Sequence, residues 1–205
     1  MTPFYRFARR VTIILRCLFF RVSYEGLENI PATGGYLVVC NHRSFLDPVF
    51  LAHAFRRQLF FMGKAELFRN KFAAALMKAL GVFAVERGAG DTRVIDHAVE
   101  LVNDGRLIGI FPEGTRSPDG QPLRPKSGAA LVAKLSRADI IPCAILFEGR
   151  MKLWKRVRIK FGTPVPFEEL GFTDDSSTSL RRAAKRIMAH IVDLMELEDR
   201  AVERD

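Results

Sequence analysis

The sequence predicts a single-domain α/β sandwich, with helices covering a mixed, largely parallel sheet and an amphipathic helix at the N-terminus. Short apolar runs alternate along the chain with segments whose apolar residues recur at helical spacing, which is typical of this class. The chain has 205 residues, of which 48% are hydrophobic, so it is long enough to bury the core of one domain. It contains no internal repeat, low-complexity tract or interdomain linker.

The individual elements follow in order from these patterns. A turn-rich entry with Pro31 and Gly34 leads into the first apolar run, and Gly81 and Gly105 end two of the helices. Asp91 is suited to cap the helix that it precedes. The predicted strands are 36–40, 59–62, 82–85, 107–111 and 140–147. The predicted helices are 48–55, 70–80, 91–103, 128–136 and 179–197.

The N-terminal segment predicts an amphipathic helix over residues 4–22. At about 100° per residue its arginines fall within an arc of about 140°, and large apolar residues lie opposite. The arginines are Arg6, Arg9, Arg10, Arg16 and Arg21, and the apolar residues are Phe4, Tyr5, Phe7, Val11, Ile14, Leu15, Leu18, Phe19 and Val22. The longest uncharged stretch, 11–15, is far shorter than the roughly 18 residues that suggest a membrane span. We therefore expect residues 1–24 to lie on a membrane surface, with docking on this domain or on a second subunit as the alternative.

The net charge of +9 is concentrated in two segments, which indicates an anionic partner. Residues 1–24 carry five cations and residues 149–161 carry six, and neither segment contains an acid. In the second segment basic residues alternate with apolar ones such as Leu153 and Val157, which favours a basic strand at the sheet edge. The same pattern leaves a nucleic-acid-binding module as an alternative, although we expect no nucleic acid as partner.

A histidine and an aspartate lie five residues apart, directly after the first apolar run. His42 emerges at the C-terminal end of that predicted strand, where α/β folds usually collect their chemistry. Asp47 is near enough to hydrogen-bond one ring nitrogen and to fix the tautomer of the other. A histidine oriented in this way can take a proton from a hydroxyl. The alternative is that Asp47, which precedes Pro48, only caps a helix.

A polar loop of sequence FPEGTRS leaves the predicted strand at 107–111. It offers a carboxylate, hydroxyls, an arginine and the exposed N–H groups of a glycine turn, and further cations follow other predicted strand ends. The candidate residues are Arg87, Glu113, Gly114, Thr115, Arg116 and Lys126. An arginine fork and backbone amides are what a phosphate needs, so these residues predict a phosphate site if the strand ends converge. The alternative is a polar turn with an internal pair between Glu113 and Arg116.

These motifs resemble those of the glycerolipid acyltransferase family, whose best-known members are the 1-acylglycerol-3-phosphate acyltransferases. NHRSFLD, which contains His42 and Asp47, is similar to the first block of the family, and Arg87 in GVFAVERG to the second. FPEGTRS matches the third block, and Pro142 in IIPCAI matches the fourth. HxxxxD alone is a weak signal, but its combination with the glutamate of FPEGTRS 71 positions after the histidine is a specific one. The resemblance covers nearly the whole chain.

The resemblance implies an enzyme that transfers a fatty acyl group from an acyl thioester to the hydroxyl of a lysophospholipid. The expected acceptor is 1-acyl-glycerol-3-phosphate, giving phosphatidic acid, while glycerol-3-phosphate or another lysolipid, such as a lyso-aminolipid, is the alternative. An acyltransferase domain is expected over residues 25–205. The implied catalytic residues are His42 and Asp47, and the implied substrate-binding residues are Arg87, Glu113, Gly114, Thr115, Arg116 and Lys126.

The resemblance implies no metal and no cofactor, because the acyl donor, acyl-CoA or acyl carrier protein, is a co-substrate. The sequence has no GxSxG nucleophile elbow, which favours direct transfer in a ternary complex over an acyl-enzyme. Together with the N-terminal helix, these features predict a peripheral or monotopic enzyme at the cytoplasmic face of an anionic membrane.

The three cysteines suggest one further class of protein. Their odd number and apolar surroundings indicate reduced, buried residues of a cytoplasmic protein. Cys40 lies two residues before His42, on the same side of a predicted strand, so a thiol hydrolase is an alternative. The valine-rich run around Cys40 instead favours a position in the core.

Overall fold

The computed structural model describes residues 1–85 and 92–202, with side chains described as far as residue 196. Within these residues the α-helices are α1 (Pro3–Phe19), α2 (Asp47–Ala54), α3 (Lys71–Ala79), α4 (Thr92–Asn103), α5 (Gly128–Ser136) and α6 (Ser177–Val202). The strands are β1 (Arg21–Glu25), β2 (Tyr36–Cys40), β3 (Leu59–Lys64), β4 (Val82–Val85), β5 (Leu107–Ile110), β6 (Ile140–Leu146) and β7 (Arg156–Phe161). Short 3-10 helices lie at Leu27–Asn29, Ala65–Phe68 and Phe167–Leu170.

The seven strands of the described residues form one sheet with the order β1-β7-β6-β2-β5-β3-β4. Strands β2 to β6 are parallel to one another, β7 pairs antiparallel with β6, and β1 pairs parallel with β7. The predicted mixed, largely parallel sheet is therefore confirmed. The carboxyl ends of β2 to β6 lie together along one side of the sheet, which we call the carboxyl edge.

Helices cover both faces of the sheet. Leu37 and Val39 of β2 point into a core shared with α4, α5 and α6, which cover the back face. Val38 and Cys40 point into a second core with α2, on the front face. All four side chains are 0% exposed, which explains why this run is apolar throughout rather than alternating.

Helix α1 packs on the front face through its polar side. Thr2 caps the helix by accepting a hydrogen bond from the Tyr5 amide at 3.1 Å. The Arg9 guanidinium donates to the carbonyl oxygens of His53 and Phe55, at the end of α2, at 2.9 and 3.2 Å. The helix is therefore docked on its own domain through Arg9 and the buried Tyr5, while most of its apolar side is not used.

The opposite side of α1 is apolar and exposed. Its outward residues are Phe4, Phe7, Val11, Ile14, Leu15, Leu18 and Phe19. No helix in the described part of the chain is both long enough and apolar enough to cross a membrane. The helix ends at Phe19 and the chain then enters β1, so the predicted helix end at residue 22 is too late. The predicted boundary between residues 24 and 25 stays a prediction.

The basic segment 149–161 differs from the predicted edge strand. Only Arg156–Phe161 is a strand, and it lies between β6 and β1, so that β1 forms the edge. Leu153, which the alternation places on the apolar side of the predicted strand, is 61% exposed. The strand cannot begin earlier because Trp154 has a φ of 63° and its amide donates to the Phe19 carbonyl at 2.6 Å. The chain here forms a turn against the end of α1.

The cysteines were expected to be buried, and two of the three are. Cys40 and Cys143 are buried in neighbouring positions on β2 and β6. Cys17 is exposed, so the prediction is wrong for this residue. The reason is the docking of α1 by its polar side, which leaves apolar neighbours of Cys17 in sequence, such as Leu18, facing solvent.

Candidate active site

The chain leaves the neighbouring strands β2 and β5 toward opposite faces of the sheet. Strand β2 is followed by α2 on the front face, whereas β5 is followed by α5 on the back face. Open parallel sheets bind their ligands at the carboxyl edge, where neighbouring connections turn to opposite faces, and these two loops lie at this place. Both predicted motifs lie in these loops, NHRSFLD after β2 and FPEGTRS after β5.

The loop after β2 holds a histidine that a buried aspartate orients. His42 Nδ1 lies 2.9 Å from Oδ2 of Asp47, whose side chain is 0% exposed. Such a partner keeps the proton on Nδ1, so that Nε2 carries the lone pair that can accept a proton. The His42 ring also stacks on Phe111, with 4.1 Å between the ring centroids. No side chain in the described ranges hydrogen-bonds Nε2.

Asp47 folds the loop around the histidine rather than capping a helix. Its Oδ2 also accepts from the amides of Arg43 and Ser44, at 2.6 and 2.7 Å. These amides precede α2, whereas a capping side chain accepts from amides in the first turn of its own helix. The N-cap position is Leu46, with no side-chain cap. The alternative of a simple helix cap is therefore wrong.

Glu113 holds the same histidine from the other loop. Its Oε1 accepts from the His42 amide and its Oε2 from the Leu123 amide, both at 2.9 Å. The Ser117 amide donates to the His42 carbonyl at 2.8 Å. Burial raises the pKa of Glu113, and the two amide hydrogen bonds oppose this rise. Glu113 is only 2% exposed, and both of its carboxylate oxygens accept from backbone amides, so it joins the two loops. Its predicted contact with substrate stays a prediction.

A cleft of about 420 Å³ opens beside the two loops. It is lined by residues 43–45, 115–118, 147 and 149–151. The Arg116 guanidinium lies over the Phe45 ring, 3.4 Å from the ring centroid, and this cation–π contact holds a positive charge at the cleft. Thr115 lies beside Arg116 in the same wall. Two of the predicted binding residues therefore share one cleft.

Gly114 allows Lys126 to lie across the FPEGTRS loop. Gly114 has a φ of 69°, and a Cβ at this position would lie 2.9 Å from Cδ of Lys126. The Lys126 amide donates to the Pro112 carbonyl at 2.8 Å. Two further predicted binding residues therefore meet at this loop. Arg87, as well as the predicted helix cap Asp91, lies outside the described residues.

Two residues of the first motif have roles that the sequence analysis did not assign. The Asn41 side chain donates to the Ile145 carbonyl at 3.0 Å and accepts from the Ile145 amide at 2.7 Å. The Arg43 guanidinium donates to the Phe147 carbonyl and lies 4.0 Å over the ring centroid of the same residue. Both side chains fasten the His42 loop to β6 and its following segment. One feature of the sequence could have indicated the role of Asn41, because it directly follows an apolar strand. A polar side chain buried at such a position needs a hydrogen-bond partner.

Cys40 does not act as a nucleophile. It is fully buried in the front core, and burial raises the pKa of its thiol well above the usual value. A thiolate is therefore disfavoured at this position, which removes the thiol hydrolase alternative. Among the residues that the structure describes, no group of three or more histidine, cysteine, aspartate and glutamate side chains could hold a metal ion.

A second cleft, of about 1120 Å³, lies next to the first at the carboxyl edge. Phe147 lines both clefts. The walls of the larger one come from the end of α1, the start of β1 and the segments 146–148 and 154–158. Its charged residues are Arg16, Arg21, Lys155, Arg156, Arg158 and Glu148. An excess of cations of this kind favours an anionic ligand.

A histidine held by a buried carboxylate, beside clefts that carry positive charge, is typical of enzymes that use acid–base catalysis on anionic substrates. A model of the family described as Acyltransferase matches residues 21–146. The chain therefore belongs to this family, and it is an acyltransferase. The resemblance and the enzyme class that the motifs predicted are confirmed.

Named relatives agree with this assignment. The chain is 29% identical over 170 residues to the 1-acyl-sn-glycerol-3-phosphate acyltransferase of Bacillus subtilis (strain 168), covering 82% of this chain and 84% of the relative. It is 29% identical over 203 residues to the enzyme of the same name from Streptococcus pneumoniae, covering 94% and 74%. The crystal structure of the 1-acyl-sn-glycerophosphate (LPA) acyltransferase from Thermotoga maritima matches with a TM-score of 0.72 and 27% identity, covering 95% and 79%.

Proposed function

We propose that this enzyme transfers a fatty acyl group from an acyl thioester to the free hydroxyl of 1-acyl-sn-glycerol-3-phosphate, giving phosphatidic acid. The observation that carries the proposal is the 2.9 Å contact between His42 and Asp47 beside a cleft that contains Arg116. The names of the Bacillus and Streptococcus relatives support the same reaction.

In the proposed reaction His42 is the general base. Its Nε2 takes the proton of the acceptor hydroxyl while that oxygen attacks the thioester carbonyl and forms the new C–O bond. The tetrahedral oxyanion collapses by breaking the C–S bond, and the leaving thiolate receives the proton from His42. Asp47 stabilises the imidazolium between these two proton transfers. The protein then binds two substrates side by side, which can itself contribute several kcal/mol to lowering the barrier.

The phosphate of the acceptor binds in the cleft of about 420 Å³. Within this cleft Arg116 supplies positive charge and the Thr115 hydroxyl supplies a further donor. Lys126 and the backbone at Gly114 lie on the same loop outside the cleft lining, and they are retained as predicted phosphate ligands on the basis of their motif. Arg87 is retained as a predicted phosphate ligand on the basis of its motif alone. This arrangement favours a phosphate-bearing lysolipid over an uncharged one.

The anionic part of the acyl donor binds in the larger, cation-rich cleft. The phosphates of coenzyme A, or the acidic surface of acyl carrier protein, are complementary to its five cations. Phe147 lines both clefts, so a donor in one and an acceptor in the other would meet near this residue. Arg43 and Asn41 connect the His42 loop to the same segment of the chain.

Helix α1 attaches the enzyme to the cytoplasmic face of an anionic membrane as a peripheral or monotopic protein. The support is its orientation, because its apolar residues point away from the domain while Arg9 is used for docking. In water, this arrangement leaves a large apolar surface uncovered, whereas at a bilayer the same surface is buried. Exposed arginines such as Arg6 and Arg10 add attraction to anionic headgroups.

The variant Arg116→Ala is expected to raise the KM for lysophosphatidate by roughly 10- to 30-fold, because a charge-assisted contact of about 1.5–2 kcal/mol is lost. The KM for the acyl thioester should change little. Initial rates with the purified enzyme, measured with 1-acyl-glycerol-3-phosphate and with 1-monoacylglycerol, check this. Arg124→Ala is the matched control, because Arg124 is an exposed arginine of the same loop that does not line the cleft. A wild-type enzyme that prefers the uncharged acceptor would contradict the proposed function.

The double variant Ile14→Glu/Leu18→Glu is expected to lose at least about 30-fold in partitioning to vesicles, because two apolar contacts become charged. Substitution is preferable to deletion here, because deletion would also remove the buried Tyr5 and the docking contact of Arg9. Co-sedimentation with phosphatidylglycerol vesicles measures the binding. Activity on a short-chain acceptor below its micellar concentration should be retained. Equal loss of both activities in a folded variant would place α1 in the catalytic core instead.

A further inference from the structure

The segment 64–79 presents an apolar surface that the fold does not use. Phe72 is 88% exposed, and Leu67 and Leu76 are 47% and 44% exposed. None of the nine residues of α3 is buried, although seven of them are apolar. Phe72 and Leu76 lie one turn apart and therefore on the same side of the helix. This cluster of Leu67, Phe72 and Leu76 is called the α3 patch.

Local signals, rather than burial, hold α3 in place. The Asn70 side chain caps the helix by accepting from the amides of Phe72 and Ala73, at 2.9 and 3.2 Å. The helix is rich in alanine, and Gly81, with a φ of 82°, follows its end. Phe72 is 88% exposed, and it forms a contiguous apolar patch with Leu67 and Leu76, which favours a partner for this surface.

The α3 patch lies on the same face of the sheet as α1. Leu67 and Phe68 pack over Gly63 of β3, since a Cβ there would lie 3.6 Å from Leu67 Cδ1 and 3.5 Å from Phe68 Cε2. Gly63 follows the alternation of Leu59 and Phe61, which point into the front core with α2. Helix α1 docks on α2 as well. The outward apolar residues of α1 and the α3 patch therefore lie in one layer, on either side of α2.

The charge around the α3 patch is predominantly positive. Segment 64–79 contains Lys64, Arg69, Lys71 and Lys78 and one acid, Glu66, which pairs with Lys64 at 2.7 Å. Both lysines of α3 are exposed, as is Arg69. A short helix with exposed apolar side chains beside lysines is suited to the headgroup region of an anionic bilayer, and much less to a protein core.

We propose that the α3 patch is a second membrane contact, which inserts Phe72 and Leu76 into the same bilayer surface that α1 binds. This inference rests on the proposed membrane attachment through α1. Two contacts in one layer define the orientation of the domain relative to the bilayer, whereas a single helix would allow the domain to rotate about it. The carboxyl edge is then held at a constant height above the lipid that carries the acceptor.

A fluorescent reporter tests the insertion directly. Trp154 is the single tryptophan of the chain, so Trp154→Phe combined with Phe72→Trp creates one reporter in the α3 patch. Its emission should shift to shorter wavelength on vesicles of phosphatidylcholine and phosphatidylglycerol, and lipids brominated on the acyl chain should quench it. Leu135→Trp in the same background is the matched control, because Leu135 is 53% exposed on α5, on the back face. Equal quenching of the two reporters, or quenching of neither, would overturn the proposal.

A binding measurement separates this inference from the proposed function. Phe72→Glu should lower vesicle partitioning by about 10-fold and lower the rate on bilayer-presented acceptor, while the rate on a soluble short-chain acceptor is unchanged. Leu135→Glu should change neither. If Ile14→Glu/Leu18→Glu releases the protein from vesicles but Phe72→Glu does not, the α3 inference alone fails. If neither variant is released, the protein binds vesicles through another surface, and both the α1 contact and the α3 contact are wrong. If the wild-type protein itself does not bind vesicles, membrane attachment is wrong, and the reaction can still be tested with the soluble acceptor.

Discussion

The variant His42→Ala is expected to lose acyl transfer by at least about 10³-fold while it keeps its fold and its binding to vesicles. Removal of a positioned general base typically costs 10²- to 10⁴-fold. The side chain is partly exposed and is not part of either hydrophobic core, so little stability is at stake. The rate of thiol release and the thermal melting curve measure the two effects separately.

His97→Ala is the matched control for this experiment. His97 is a half-exposed histidine on α4, where it pairs with Glu100 and contacts Phe83. Helix α4 covers the back face of the sheet, whereas α2 and the His42 loop that leads into it are on the front face. Its loss should leave the rate within about 2-fold of wild type, as for most surface substitutions. A His42→Ala enzyme with a tenth of the wild-type rate would show that another group is the base.

The variant Asp47→Asn is expected to lose roughly 10³-fold in kcat and to lose less stability than Asp47→Ala, although its amide NH2 replaces the buried Oδ1, which has no hydrogen-bond partner. An asparagine oxygen placed where Oδ2 lies can still accept from the amides of Arg43 and Ser44, so the loop keeps its shape. The negative charge that stabilises the imidazolium is lost, and this loss falls on the transition state. Comparison of kcat and KM with both substrates measures it, and KM should change by less than about 3-fold.

Asp47→Ala is the informative contrast. This variant removes the acceptor of two backbone amides in a buried environment, which typically costs about 1–3 kcal/mol per group. It should therefore lose stability as well as activity. If Asp47→Asn were active and only Asp47→Ala were impaired, Asp47 would serve the loop alone and His42 would act without a charged partner.

The central strands could be predicted from the sequence, whereas β1, one of the two edge strands, could not. Tyr36–Cys40 and Leu107–Ile110 are covered on both faces, so that their composition alone reveals them. Strand Arg21–Glu25 is less buried than the central strands and carries a charge at each end. Its sequence therefore lacks the apolar run that predicts a strand, and the helix predicted over residues 4–22 extends into it. The turn at Trp154 could not be predicted either. Its left-handed backbone is accompanied by a hydrogen bond to Phe19, which lies 135 positions earlier in the chain.

The catalytic pair could be predicted, because His42 and Asp47 are close in sequence and their chemistry is specific. The contacts of Glu113 could not be predicted, because its partners are the backbone amides of His42 and Leu123. Every residue except proline carries such an amide, so the sequence does not show which amides a side chain will bind. For the same reason the fastening of the loop to β6 by Asn41 was not foreseen. Predictions from side-chain identity therefore find groups that react and overlook groups that hold the main chain.

The two backbone bonds of His42, to Glu113 and to the Ser117 amide, have a consequence for how substrate preference can change in evolution or in design. They make the base and the FPEGTRS loop one rigid unit, so a substitution that bends this loop slows the enzyme on every acceptor alike. Selective change must come from cleft positions that carry neither bond, such as Phe45, Thr115 and Met151. Libraries restricted to such positions should yield altered acceptor preference at nearly constant turnover, and libraries at 113 should yield mainly slow enzymes.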